Sequence, residues 1–529
     1  MSHLEALHRQ GDANLQELSA EIKSQIYTGD CGPPSDAVRA LVKKARQLQA
    51  QTIWELRRLT RGLGITEAQL RAYERAREAT RLPSGSDYWH DQVLRARSSE
   101  DLDEMAGSAL DQLLPMVHPK WLAAQAEEQY RLAADFLNAP LHLVGGMRVG
   151  VGPHIAGPQR FARMLLVTKD HLAKRDDLDF YNAAMFVPEI AILGNSVEEV
   201  IALGPEAQRK FSALPSISDD LVTSTTYELL VGAACIRRGL QVEMLADDRS
   251  KPTPDFRLTG VGAIPGAIEC KRRLGLTAYE LAEAHRVETL YGAIRPTLYE
   301  RGIHSSIEVM FSTPLHELKA EAFVKDVLAA ADPHKDLEQR QVPWGSISVR
   351  RLPYYDTLPL TRLYSPDFLE RVFDWRVLQS DWDGILCEVE PPRGILVGKY
   401  RWPICLKWRT DTPEAFVKKS RGIMSQWGSA VKQIPPGDMG FIYIAYPEGS
   451  RPAVADARTK NIIKSMEESW HHWYVRIPVT VIDRLYPRPV GCGNPDLIES
   501  SLPGAAKGKE AWLTYLPQLV FTRQFEEDD

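Results

Sequence analysis

Three carboxylates and an amine, Glu228, Asp255, Glu269 and Lys271, stand close enough along the chain to meet in one folded unit. Side chains alternate across a strand, so in Glu269-Cys270-Lys271 the acid and the amine share one face while Cys270 points to the other. The segment TGVGAIPG, 259–266, reads as a turn between two strands, with Pro265 limiting the ladder beside it. Pairing across that turn can set the Asp255 carboxylate beside that of Glu269. Two carboxylates so held repel each other, and a divalent cation relieves the repulsion. Hard oxygen ligands with room for water suit Mg²⁺ or Mn²⁺. Glu228 falls mid-helix among Leu229, Leu230 and Val231, where burial without a partner would be costly. A metal ion, or a water bound to one, would be such a partner.

The elements that must position these groups are legible around them. SDDLVTSTTYELLVGAACIRRGL has the apolar spacing of a helix that stops at Gly239. QVEMLAD, PDFRLT and GAIECKRR read as three short strands. AYELAEAHRVETLYGAIRPTLYERG predicts a long helix interrupted at Pro296, and SSIEVMFST a further strand. The order α-β-β-β-α-β predicts an α/β domain with a mixed central sheet. Single fragments of the pattern mean little. Acid-x-Lys triplets start at Glu21, Glu269 and Glu317, and Pro-Asp occurs at 254–255, 366–367 and 495–496. Only the 254–271 region combines a strand-opening Asp, an acid-x-Lys strand behind an apolar approach (Ala267, Ile268), and a preceding helix that carries an acid. The plainer alternative is a set of salt bridges on the surface of an α/β domain.

Taken together, Glu228, Pro254-Asp255 and Glu269-Cys270-Lys271 resemble the signature of the PD-(D/E)xK, restriction-endonuclease-like nuclease superfamily. The resemblance covers residues 225–273 closely and extends loosely through the helix 278–300 and the strand 305–313. It implies an αβββαβ core and a metal-dependent hydrolysis of phosphodiester bonds, in DNA rather than RNA, in defence, restriction or repair. It implies that Asp255 and Glu269 bind the catalytic Mg²⁺ or Mn²⁺, with the Cys270 backbone carbonyl as a further ligand and Glu228 acting through metal-bound water. Lys271 would orient or help deprotonate the attacking water and stabilise charge in the transition state. The alternative within the same resemblance is a catalytically inactive, nuclease-like binding or scaffold protein.

Further along, TPEAFVKKSRGIMSQWGSAVKQI predicts a second long helix capped by Thr412, followed by the apolar run GFIYIAY, which suits a buried strand. Either 305–313 or 441–446 could complete the core sheet. On that second helix Lys432 and Gln433, or Gln426, could support the site, and a solvated surface helix is the other reading. Residues 393–421 gather Arg393, Lys399, Arg401, Lys407, Arg409, Lys418, Lys419 and Arg421 against Asp411 and Glu414. Such a stretch could contact phosphate locally, or be an ordinary solvated face. Arg272, Arg273, Lys418, Lys419, Lys432 and Gln433 are therefore the candidate nucleic-acid contacts.

Length and composition frame this. A chain of 529 residues predicts several domains. Residues 1–215 read as mostly helical, for recruitment or a protein partner. The nuclease-like domain spans 216–450 with an insertion around 314–412, and 451–529 form an α/β extension ending in an acidic tail. A net charge of −6 excludes a generally basic nucleic-acid coat. The six cysteines include no C-x-x-C pair, which argues against a zinc ribbon or a secreted disulfide scaffold. The polar N-terminus and the lack of long apolar runs predict a cytoplasmic protein with no membrane partner. No G-x-x-x-x-G-K-[ST] loop, H-E-x-x-H or G-x-S-x-G motif occurs, so any ATP-driven step would need another chain.

Overall fold

The computed structural model describes residues 94–521, leaving out 98–101, 150–158, 175–179, 249, 260–265, 274, 332–336, 354, 377–380, 391–395, 474–476, 491–493, 506–512 and 514. The helices predicted before residue 94, the tip of the 259–266 turn, Arg393 of the basic stretch, and the acidic tail lie outside the described residues. All the described residues belong to one compact unit, 83–529.

In chain order the elements are β1 (Leu94–Arg97), α1 (Leu102–Leu113), α2 (Pro119–Asn138), β2 (Leu141–Val144), β3 (Met147–Arg148), α3 (Arg160–Leu172), α4 (Phe180–Gly194), α5 (Val197–Ala202), α6 (Pro205–Ala213) and α7 (Asp219–Arg237). Then come β4 (Gln241–Met244), β5 (Phe256–Thr259), β6 (Gly266–Arg272), α8 (Ala278–Glu300), β7 (Ser305–Phe311), α9 (Ala320–Ala330), β8 (Leu337–Val342), β9 (Gly345–Arg351), β10 (Tyr355–Arg362), α10 (Pro366–Phe373), β11 (Gly384–Glu390) and β12 (Leu396–Thr410). The chain continues with α11 (Pro413–Ser420), α12 (Gly422–Gln433), β13 (Met439–Pro447), α13 (Pro452–Trp473), β14 (Val479–Val490) and β15 (Asn494–Ala505).

The fold is mixed α/β with two mixed sheets. One has the order β1-β15-β14-β13-β6-β5-β4, and the other β3-β2-β11-β12-β7-β9-β8 with β10 beside β12. In the first, β6 pairs parallel with β13, Ile268 opposite Phe441 and Cys270 opposite Tyr443. On its other edge β6 pairs antiparallel with β5, Phe256 opposite Ile268. A strand flanked on both edges and covered on both faces should be apolar, and Gly266 through Cys270 are all buried.

This topology settles which strand stands next to β6. It is β13, reached through α11 and α12, whereas β7 lies in the second sheet between β12 and β9. Of the two strands left open as its neighbour, 441–446 pairs with β6 and 305–313 does not. The elements from α8 to β12 build the second sheet and its cover together with β2 and β3. The physical reason is local. β13 is the more apolar of the two, but both are mostly buried strands, and a local pattern does not say which sheet a strand joins. The helix α8 runs unbroken through Pro296, and the single long helix expected after Thr412 is two helices separated at Arg421.

One hydrophobic core joins α1, α3, α4 and α7 to β5, β6, β13 and β14, so it runs across residues 215 and 450 alike. α7 packs on this core with Leu229, Leu230, Val231, Ala233, Ala234 and Cys235 buried. It comes close to β5 at Gly232, where an added Cβ would stand 2.6 Å from Leu203 Cδ1 and 2.7 Å from Phe256 Cε1. Gly232→Val is expected to cost about 1–3 kcal/mol through overpacking, read as a lower denaturation midpoint, because α7 must lift from β5. No helix among the described residues is long and apolar enough to cross a membrane.

Candidate functional site

The β5–β6 ladder ends at Phe256 and Ile268. Continuing its register by one step sets Asp255 opposite Glu269, and facing residues of an antiparallel pair share a face. Pro254 cannot donate to a ladder, which suits the strand's end here. Asp255 turns its carboxylate to the edge that β5 has vacated, and its Oδ2 accepts the Cys270 N–H at 2.7 Å. The N–H and C=O of one strand residue point to the same side, so the Cys270 carbonyl faces the vacated edge as well.

Glu269 is 1% exposed and pairs with Lys271 on the same face of β6. The Lys271 ammonium also donates to Gln433 Oε1 at the end of α12. Glu269 Oε2 is buried with no hydrogen-bond partner among the described residues. Glu228, from α7, keeps most of its side chain from solvent and accepts from Lys210 Nζ at 3.0 Å. Lys210 is the functional candidate that sequence reading missed. It lies on α6, outside every motif, and it also stands 3.5 Å from Asp247 Oδ1.

These groups feel one another's charge. Burial, then the Glu269 and Glu228 carboxylates, push the Asp255 pKa well above the usual carboxylate range. Burial pushes Glu269 up to about 7, with Lys271 opposing and Glu228 adding to the rise. Burial works against the Lys271 charge, but Glu269 and Asp255 outweigh it and raise the amine's pKa. Lys210 is likewise held charged, since Glu228, Asp255 and Asp247 overcome its burial.

A carboxyl whose folded pKa is raised contributes its stability below its ordinary pKa and loses it as pH rises through the folded value. For Glu269 that window runs from 4.5 to about 7. In metal-free protein, Glu269→Gln is therefore expected to gain stability relative to wild type across this window. The gain is on the order of 2–3 kcal/mol, read by comparing denaturation midpoints at about pH 5 and about pH 8.

The candidate nucleic-acid contacts divide sharply. Arg272 has the opposite strand parity from Lys271, so it points into the core, where it pairs with the buried Glu189 of α4 and lies over the Phe521 ring. Arg273 is tied to Glu280 at 3.1 Å, with 12% of its side chain exposed. Lys419 is buried between Asp383 Oδ2 at 2.8 Å and Glu283 Oε2 at 2.9 Å. Lys418 pairs with Glu414 one turn away and lies over the Tyr279 ring. The expectation that Arg272 and Lys419 reach phosphate is thus corrected: both are consumed by buried acids from distant segments, which no local pattern reveals. Elsewhere in the basic stretch Lys407 is buried against Glu308 at 3.2 Å, and Arg409 meets Asp411 at 2.9 Å. Lys432 is exposed, and Gln433, rather than contacting solvent alone, supports Lys271.

A groove of about 650 Å³ is lined by chain neighbours of Asp255 and Glu269, though by neither carboxylate itself. Arg257 and Ala267 line it from the strand face that also carries Asp255, Glu269 and Lys271. Pro252 and Pro254 form one wall, and Lys432 and Pro435 at the end of α12 the other. Among the described residues, no three His, Cys, Asp or Glu side chains gather as a ready set of metal ligands. A cation here would rest on two carboxylates, a backbone carbonyl and water. The donor chemistry fits such an ion in two respects: Glu269 Oε2 is buried without a side-chain partner among the described residues, and the charge of Glu228 raises the pKa of both Asp255 and Glu269.

No protein-family model matches the chain, and comparison with curated proteins and with solved structures gave no match.

Proposed function

We propose that this protein is a metal-dependent nuclease of the PD-(D/E)xK kind, hydrolysing phosphodiester bonds in DNA rather than RNA. One observation carries the reading: Asp255 and Glu269 take facing positions where the β5–β6 ladder ends, Lys271 sits on the same face, and the charge of Glu228 from α7 reaches both acids. The order α7, β4, β5, β6, then α12 and β13 beside β6, supports an αβββαβ core carrying a long insertion.

On this reading Asp255, Glu269 and the Cys270 carbonyl hold one Mg²⁺ or Mn²⁺. Bound there, the ion supplies Lewis acidity toward a phosphate oxygen and a lowered pKa for a coordinated water. The chain's own groups do the rest. Glu228 orients the attacking water. Lys271, kept protonated by its acidic neighbours, serves by stabilising charge on the phosphorus oxygens rather than by taking a proton. Gln433 fixes the Lys271 amine from the far side. The adjacent groove, rimmed by Arg257 and Lys432, receives the nucleic-acid strand.

A second reading has an observation of its own. Lys210 on Glu228 and Lys271 on Glu269 compensate acids without metal, as a non-catalytic binding or scaffold protein would require. A cleavage assay with Mg²⁺ or Mn²⁺ on linear, circular and single-stranded DNA and on RNA separates the two. The nuclease reading expects activity in wild type that Glu269→Ala and Lys271→Ala abolish. Equal behaviour of all three proteins would overturn it. Calorimetry with Mn²⁺ gives an independent answer, since the scaffold reading expects no binding site that disappears in Asp255→Ala.

A further inference from the structure

Lys210 is oddly placed for a residue of only structural use. α6 is a short helix anchored by the buried Ala207 and Phe211, and Lys210 lies in its last turn with 10% of its side chain exposed. From there its amine meets acids of two other segments, Glu228 Oε2 of α7 at 3.0 Å and Asp247 Oδ1 after β4 at 3.5 Å. It is also within electrostatic reach of Asp255. A lysine so far from solvent is costly unless its partners offset the desolvation, and truncating it strands them.

Lys210 is shared by Glu228, which is mostly buried, and Asp247, which is 74% exposed. Lys271 pairs with Glu269, and Asp255 accepts the Cys270 N–H. Without Lys210, Glu228 and Asp247 would be left as a pair of hard oxygen donors suited to another ion.

Resting on the nuclease reading above, we propose that Lys210 is a positioning residue whose ammonium holds Glu228 and Asp247 and stands in place of a second divalent cation, so that the site binds one metal ion, at Asp255 and Glu269. The amine thus decides the metal stoichiometry of the site without touching the reacting atoms.

The test is calorimetric titration of the full-length protein with Mn²⁺ and no nucleic acid, so activity is not the readout. Wild type and Lys210→Arg are expected to bind one ion. Lys210→Met is expected to bind two, the first about tenfold more tightly because a neighbouring positive charge is gone. Lys210→Met combined with Glu228→Gln is expected to return to one. Thermal unfolding establishes that each variant is folded. Should Lys210→Met fail to fold, the wild-type count still decides, since two ions in wild type overturn the proposal. A Lys210→Met protein that stays at one ion overturns it too, and leaves the nuclease reading standing. A wild type with no Mn²⁺ site sensitive to Asp255→Ala overturns both together.

Discussion

On the proposed nuclease reading, Glu269→Ala is expected to lower Mg²⁺-dependent phosphodiester cleavage by about 10³-fold, and Lys271→Ala by about 10²–10³-fold, with both proteins folded. The acid loss acts by two routes. It removes one of only two carboxylates proposed to hold the ion, and it frees Lys271 from the partner that fixes it on this face of β6. The amine loss removes a positive charge that its neighbours keep protonated, at the point where the proposed reaction would build negative charge on phosphorus. Because the two residues act as a unit, the double variant is expected to lose little more than Glu269→Ala alone. Rate measurements at saturating metal, with unfolding curves as controls, check this. Raising Mg²⁺ should recover part of the loss in Glu269→Ala through Asp255, and none of it in Lys271→Ala. Cleavage by both variants at the wild-type rate would remove these residues from the chemistry.

Lys419→Met has the largest effect expected on stability, a loss of roughly 3–5 kcal/mol. Lys419 is 3% exposed and sits between Glu283 of α8 and Asp383 just before β11. Asp383 is held further by Arg451 Nε at 2.9 Å and by the Thr410 N–H at 2.8 Å. Burial opposes the charge on Asp383, but Lys419 and Arg451 outweigh it and keep its carboxyl below the usual range. A second buried group lies alongside: Arg458 bridges Glu280 and Glu448 at 2.9 and 2.6 Å and donates to the Lys419 carbonyl. These acids and bases come from α8, α11, α13 and the segments flanking β11 and β13, so they fasten elements that the two sheets do not join by strand pairing. Methionine keeps the aliphatic length of Lys419 but leaves Glu283 and Asp383 facing each other without their shared cation. The measurement is a denaturant midpoint beside a DNA-binding isotherm. A large fall in stability with unchanged affinity of the folded fraction is expected, and a fall in affinity alone would return Lys419 to the surface role that its sequence neighbourhood suggests.

Arg272 and Lys419 show why local charge is a poor guide to surface chemistry. Read along the chain, 393–421 is a run of cations with few acids. In three dimensions Glu308, Glu283, Asp383 and Asp411 answer several of those charges, and three of these four acids lie outside the run. Lys210 makes the same point in reverse. Its own segment, PEAQRKFSA, is an ordinary amphipathic helix, and only the approach of α6 to α7 gives the amine its acidic partners. Gln433 was accessible to sequence reasoning because it lies one residue beyond Lys432 at the end of a helix leading into the strand beside β6.

The amino-acid sequence settled the local grammar of the site. Alternation along β6 places Glu269 and Lys271 together and turns Cys270 and Arg272 the other way, whatever the surroundings. The limits of α7, β4, β5 and β6 follow from glycines, prolines and apolar spacing, which act between near neighbours. The choice of β13 over β7 as the partner of β6, the formation of a separate second sheet, and the burial of Arg272 and Lys419 were decided by tertiary packing. The physical reason is that strand pairing and ion pairing are insensitive to separation along the chain. A buried apolar strand accepts any partner of matching face, and a cation any acid that the fold carries to it, so which one arrives depends on how the whole chain packs.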